Sequence, residues 1–285
     1  MVEDNAPMFP RPMFFDGCAL NFADNLLYPR DATDPNATAL ISVTESTSTT
    51  VTWEELRSQV LKLVLAMKAL GVKPRDRVAG FLGNHANTVV AMLATTYLGA
   101  IWTAVSPDTG VAAVLDRLVQ IEPVLLFADN GVGYNGRAHS STEKTREIAA
   151  ALTGLKAVVI FQTISGEIDT SNFKVAHGKA WTYDNFLQMY AYTISYLHGA
   201  SANMVSSAPS TKIQDLREIK VMFSPDHPVY ILYSSGTTGK PKCIVHSAAG
   251  TLIQHKKEHV LHVRTKLSFL CPSQSHSVSS PNCRT

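Results

Sequence analysis

Nine consecutive residues, Ser234-Ser-Gly-Thr-Thr-Gly-Lys-Pro-Lys242, bring four hydroxyls, two glycines and two lysines into one short stretch. Glycine tolerates positive φ and lets a ligand approach the backbone, so successive N–H groups can converge on phosphate oxygens. The hydroxyls add donors and the lysines add positive charge, a set suited to a polyphosphate. A Walker A loop is excluded by spacing: G-x-x-x-x-G-K-[ST] would need glycine at Ser234 and a hydroxyl residue at Pro241. A second candidate is His255-Lys-Lys-Glu-His259, which has the H-x-x-E-H order of an inverted zinc peptidase. On a helix His255 and His259 would share a face, as zinc requires, but a solvated or nucleotide-adjacent helix is the preferred reading. Asp108, Asp116 and Arg117 could form an acid–base group, although Asp116 and Arg117 are expected on the exposed face of a helix starting near Gly110. Trp53, Trp102 and Trp181 are too isolated for a base-stacking platform and are expected to pack in the core.

A loop of this kind needs a frame. The apolar runs 229–233 and 242–246 flank it, giving a strand, loop, strand order. Upstream, Thr52-Trp-Glu-Glu55 is a capping-box start, and Leu56, Val60, Leu63, Val64, Met67 and Leu70 recur at helical spacing until Gly71 supplies the stop. Short apolar runs at 77–82, 101–105, 124–128 and 157–161 read as buried strands, with helical segments at 111–121 and 141–152 between them. Strands alternating with helices predict the α/β class, a parallel-rich sheet covered by helices. Residues 86–106 carry no charge, yet Asn87, Thr88, Thr95, Thr96 and Thr103 interrupt them and Gly99 divides them. A buried helix followed by a buried strand fits better than a membrane span. Residues 164–180 and 199–214 are polar enough to be surface excursions, and the serine-rich end is expected to be disordered from about Pro272.

The composition agrees with a globular protein: 45% of the 285 residues are hydrophobic and 17% charged. A formal net charge of +2 supplies no basic field for holding nucleic acid. Cys18, Cys243, Cys271 and Cys283 are scattered, which suits reduced thiols rather than a disulfide framework. The opening Met1-Val-Glu-Asp lacks the cationic and apolar regions of a secretory signal, so the Asn36-Ala-Thr38 sequon is expected to be idle.

The Ser234 to Lys242 stretch resembles the phosphate-binding signature of the adenylate-forming enzymes, which include acyl-CoA synthetases, luciferases and peptide-synthetase adenylation domains. Leu20-Asn-Phe-Ala-Asp-Asn-Leu-Leu27, Leu98-Gly-Ala-Ile-Trp-Thr-Ala-Val-Ser-Pro-Asp108 and Val114-Leu-Asp-Arg-Leu-Val-Gln-Ile-Glu-Pro123 resemble the acetyl-CoA and acetoacetyl-CoA synthetase branch. Cys243-Ile-Val-His-Ser247 and Leu252-Ile-Gln-His-Lys-Lys-Glu-His-Val-Leu-His262 are closer to the acetoacetate-using members than to the acetate-using ones. The resemblance spans about residues 7–262. It implies part of a large N-terminal domain, organised as an extension (1–20), a partial adenylation domain (21–262) and a divergent tail (263–285).

The resemblance further implies that a carboxylate attacks the α-phosphate of Mg-ATP to give acyl-AMP and pyrophosphate, after which coenzyme A displaces AMP. Ser234, Ser235, Gly236, Thr237, Thr238, Gly239 and Lys240 would enclose the β- and γ-phosphates, with Lys242 nearby and the Thr238 hydroxyl closest to Mg²⁺. The implied substrates are acetoacetate, ATP and coenzyme A, and the implied setting is the cytosol. An acetyl- or propionyl-type synthetase and a non-catalytic product are the alternatives. Members of this group continue well past the loop, through an adenine-contacting segment, an acidic Mg²⁺ ligand, a ribose-binding aspartate and a mobile domain bearing a catalytic lysine. Those parts are not expected within residues 1–285, so turnover by this chain alone is expected to be impaired.

Overall fold

Short apolar strands and amphipathic helices alternate along most of the chain, as seen in a computed structural model that describes residues 9, 14–29, 34–45, 47–188, 215–234 and 239–262. The strands are β1 (Thr38–Val43), β2 (Ser48–Thr52), β3 (Arg77–Phe81), β4 (Ile101–Val105), β5 (Leu125–Asp129), β6 (Gly131–Tyr134), β7 (Arg137–Ser140), β8 (Ala157–Phe161), β9 (Lys179–Thr182), β10 (Pro228–Ser234) and β11 (Lys242–Ser247). The helices are α1 (Phe22–Leu27), α2 (Trp53–Ala69), α3 (Ala86–Tyr97), α4 (Val111–Leu118), α5 (Thr142–Ala151), α6 (Tyr183–Leu187) and α7 (Ala248–Lys257).

The main sheet has seven strands in the order β11-β10-β4-β3-β5-β8-β9. Every neighbouring pair from β10 to β9 is parallel, and only β11 runs antiparallel, against β10. Alternation along the central strands assigns each side chain to one of two cores. Val78, Trp102, Leu125, Phe127, Val159 and Phe161 face α1, α2, α3 and α6. Ala79, Phe81, Ile101, Leu126, Val158 and Ile160 face α4 and α5. A sheet buried on both faces explains why its strands read as continuous apolar runs rather than as alternating ones.

Local chemistry sets the boundaries. Thr52 and Glu55 close the reciprocal capping box at the start of α2, with Glu55 N–H donating to Thr52 Oγ1 at 3.2 Å and Thr52 N–H to Glu55 Oε2 at 2.8 Å. Gly99 separates α3 from β4 at φ +73°, a value that favours glycine. A methyl group at that position would collide with the Phe223 ring. The Gly99 carbonyl also accepts from His227 Nε2 at 2.8 Å, which fixes the chain entering β10. The uncharged 86–106 stretch is therefore a buried helix and strand, and no described helix is long and apolar enough to cross a membrane.

Two expectations need correction, and a third holds in part. Residues 179 and 180 are not part of a surface excursion but begin β9, which pairs in parallel with β8 from Ala157↔Lys179 to Ile160↔Thr182. Arg117 is not on an exposed face: it is half-buried, as is Asp116, and its guanidinium lies 5.7 Å from the centre of the Tyr233 ring. Trp53 and Trp102 are core residues as expected, and Trp181 packs against the same core but is only partly buried, with Lys179 Nζ 3.8 Å from its ring centre. The expected disorder from Pro272, the excursion at 199–214 and loop residues 235–238 lie outside the described residues.

Candidate nucleotide-phosphate site

Tyr230 of β10 pairs in parallel with Trp102 of β4, so the carboxyl end of β10 emerges on the same sheet edge as those of β4, β3, β5 and β8. Open parallel sheets bind ligands along that edge. The chain turns there and returns as β11, with Ser234 opposite Lys242 and Tyr233 opposite Cys243. The glycine loop is thus the tip of a β-hairpin. This arrangement independently excludes Walker A, in which a helix follows the loop.

Of the nine signature residues, the described ones are Ser234, Gly239, Lys240, Pro241 and Lys242; Ser235, Gly236, Thr237 and Thr238 lie outside the described residues. Ser234 is half-buried at the end of β10. Gly239 has φ +145° with open space where a side chain would be, a conformation L-residues rarely adopt. Lys240 and Lys242 are exposed, one on each side of Pro241. The tip therefore presents two ammonium groups to solvent, where an anion can reach them without first desolvating a buried charge.

Beneath the hairpin, Thr103 Oγ1 donates to the Ile231 carbonyl at 2.9 Å. The Tyr233 phenol, adjacent to Ser234, is pushed up to about 12, chiefly by burial, so it stays neutral. On the outer side Gln120, just past the end of α4, donates from Nε2 to the Pro241 carbonyl at 3.0 Å and to the Asp116 carbonyl at 2.6 Å. Its Oε1 lies 3.7 Å from the Cys243 thiol, the pKa of which burial raises.

Further along the same edge, β4 lies on one side of β3 and β5 on the other, so the connection changes direction at β3. At this switch point His85 Nε2 and Asp129 Oδ1 are 2.9 Å apart, with the Asp129 carboxylate almost fully buried. Gly83 N–H donates to Asp129 Oδ2 at 2.7 Å, and Thr88 Oγ1 donates to the Gly83 carbonyl at 2.6 Å. The sequence offered no signal for this pair, whose members are 44 positions apart and match no motif.

The inverted-peptidase pattern does not assemble a metal centre among the described residues, where no three His, Cys, Asp or Glu side chains converge. The His255 and His259 rings are 6.4 Å apart, at the point where α7 gives way to a wider turn over Glu258–His262.

A family profile described as "AMP-binding enzyme" matches residues 29–279. The chain belongs to the AMP-binding enzyme family. It is 49% identical over 265 residues to malonamoyl-CoA synthetase of Penicillium aethiopicum, covering 92% of this chain and 34% of that protein. It is 41% identical over 264 residues to acetoacetyl-CoA synthetase of Rattus norvegicus, covering 92% of this chain and 36% of the relative. The solved acetoacetyl-CoA synthetase from Streptomyces lividans superposes with a TM-score of 0.73 at 34% identity, over 90% of this chain and 35% of that one. The chain thus spans about a third of the length of the relatives it matches. Its parallel-rich α/β architecture is that of the N-terminal domain of this fold.

Proposed function

We propose that the chain supplies the phosphate-gripping part of an acid–thiol ligase that converts acetoacetate, ATP and coenzyme A into acetoacetyl-CoA, AMP and pyrophosphate. The observation that carries this reading is the glycine-bearing hairpin tip, with Ser234 and Lys242 paired across its base and Lys240 exposed at the carboxyl edge of a parallel sheet. In the first half-reaction an acetoacetate oxygen bonds to the α-phosphorus and the bond to pyrophosphate breaks. In the second the thiol sulfur attacks the acyl carbon and AMP leaves. The part played by this chain is electrostatic: Lys240, Lys242, the loop hydroxyls and the backbone N–H groups hold and neutralise the β- and γ-phosphates, so the α-phosphorus is aligned for in-line attack.

A divalent cation such as Mg²⁺ reduces phosphate charge when bound. Mg²⁺ takes hard oxygen donors and keeps several waters or phosphate oxygens in its shell. The Thr238 hydroxyl would supply one such oxygen donor.

A second reading, favoured by the 49% identity to a malonamoyl-CoA synthetase, replaces acetoacetate by malonamate. The two acids share a carboxylate, a methylene and a 3-carbonyl, and differ only in carrying a methyl or an amino group beyond it. A pocket shaped for one accommodates the other, and selection rests on whether a hydrogen-bond acceptor meets the amino group. The class proposed is therefore a short acid with a 3-carbonyl group.

The test is ATP–pyrophosphate exchange by this chain with acetoacetate, malonamate, acetate and propionate in turn. Exchange with acetoacetate exceeding that with acetate supports the main reading, and a preference for malonamate supports the second. Exchange with acetate or propionate alone removes the 3-carbonyl requirement. Folded chain without exchange for any acid places catalysis elsewhere and favours a non-catalytic role.

A further inference from the structure

We propose that Gln120 is a positioning residue for the phosphate-binding hairpin, a role resting on the nucleotide reading above. The helix it follows is anchored independently of the site: Val114 and Leu118 of α4 are fully buried with Phe81, Ile101, Val105 and Ile231. Its last turn and the residues just past it meet the hairpin on the two strands flanking the glycine loop. Arg117 lies over the ring of Tyr233, immediately before Ser234, while the Arg117 Nη1 group donates to the Ala113 carbonyl at 2.5 Å. Gln120 takes the other flank.

Each polar atom of the Gln120 amide is engaged. Its nitrogen donates both back to Asp116 of α4 and across to Pro241, and its oxygen faces the Cys243 thiol on β11. Pro241 follows Lys240 directly, so its carbonyl is a handle on the Lys240–Lys242 segment. An anion meeting Lys240 and Lys242 binds more tightly when the backbone that carries them is already ordered, because less conformational freedom is lost on binding. Gln120 is itself exposed, so it adds nothing to the apolar core. An exposed glutamine bridging 121 residues to Pro241 and 123 to Cys243 thus has an effect on the site separable from its effect on folding.

The test compares the full chain with Gln120→Ala and Gln120→Glu, the latter keeping size and acceptor but losing the donor. Hydrogen exchange without ligand is followed in peptides covering 239–247 and, as a control, β5; Mg-ATP affinity is measured by calorimetry. Both variants are expected to exchange faster in 239–247 with β5 unchanged, to melt within about 2 °C of the parent, and to bind Mg-ATP about three- to tenfold more weakly, the worth of one or two neutral hydrogen bonds. Unchanged exchange in 239–247, with the parent binding Mg-ATP, overturns the role of Gln120 and leaves the nucleotide reading intact. A folded parent that does not bind Mg-ATP overturns the nucleotide reading, and with it this one, even if exchange has changed. Faster exchange throughout, β5 included, also overturns it, because the effect is then on the fold.

Discussion

Lys240 and Lys242 illustrate how far residue identity alone can carry a site. Both residues are exposed, so their side chains add nothing to the buried core, and under the proposed function they meet an incoming anion. Lys240→Ala removes one charge-assisted contact of about 1.5–3 kcal/mol, which predicts roughly 10- to 100-fold weaker Mg-ATP binding with an unchanged melting temperature. By contrast, the His85–Asp129 pair joins residues 44 positions apart, and no local pattern announces it. His227 gives a pH prediction. It is buried, donates to the Gly99 carbonyl and stacks on Phe223 with ring centres 4.3 Å apart; burial, opposed by the Gly99 bond, lowers its pKa. A histidine that is held neutral contributes stability present above its unfolded value, near 6.5, and lost as pH falls through its lower folded value. Denaturant midpoints measured from pH 7.5 to 5 should therefore fall with acidification. In His227→Gln that slope should be shallower; an identical slope would assign the dependence to other groups.

At the scale of elements, legibility followed burial and locality. Helix α2 was readable because its capping box and stop lie within the segment they bound, and Thr52→Ala should cost about 1 kcal/mol in thermal or chemical unfolding. Strands β4 and β8 were readable to the residue because both faces are largely buried and the run is apolar in β8 and broken only by Thr103 in β4. The hairpins β1–β2 and β6–β7 were not. Their strands are largely exposed, with Ile41 at 69% and Tyr134 at 68% exposure, and they pair only with each other. Such segments show neither continuous apolar character nor strict alternation, so the periodicity on which strand assignment rests is absent. Strand β9 escaped for a related reason: it has four residues at a sheet edge, and its opening Lys179 is exposed. Gly99 is the element boundary where a substitution should cost most. Gly99→Ala combines positive φ with a collision against Phe223, and a loss well above 1 kcal/mol is expected.

For the whole molecule, the sheet and its two cores account for the parallel α/β class read from alternating strands and helices, while β11 at one edge stands apart. Its Ile244 and Val245 are 45% and 58% exposed, on successive positions and so on opposite faces. An edge strand of this character templates pairing with other chains. Val245→Lys should lower the concentration-dependent light scattering of the isolated chain without changing its melting temperature; unchanged scattering would assign self-association to another surface.

The central claim, that the β10–β11 hairpin grips nucleotide phosphates, is tested most directly by titrating Mg-ATP into the folded chain and into its Lys240→Ala/Thr238→Ala variant by calorimetry. Saturable one-site binding by the parent that weakens at least tenfold in the variant is the predicted result. Equal affinity in the two proteins, or a folded parent that takes up no nucleotide, would contradict it.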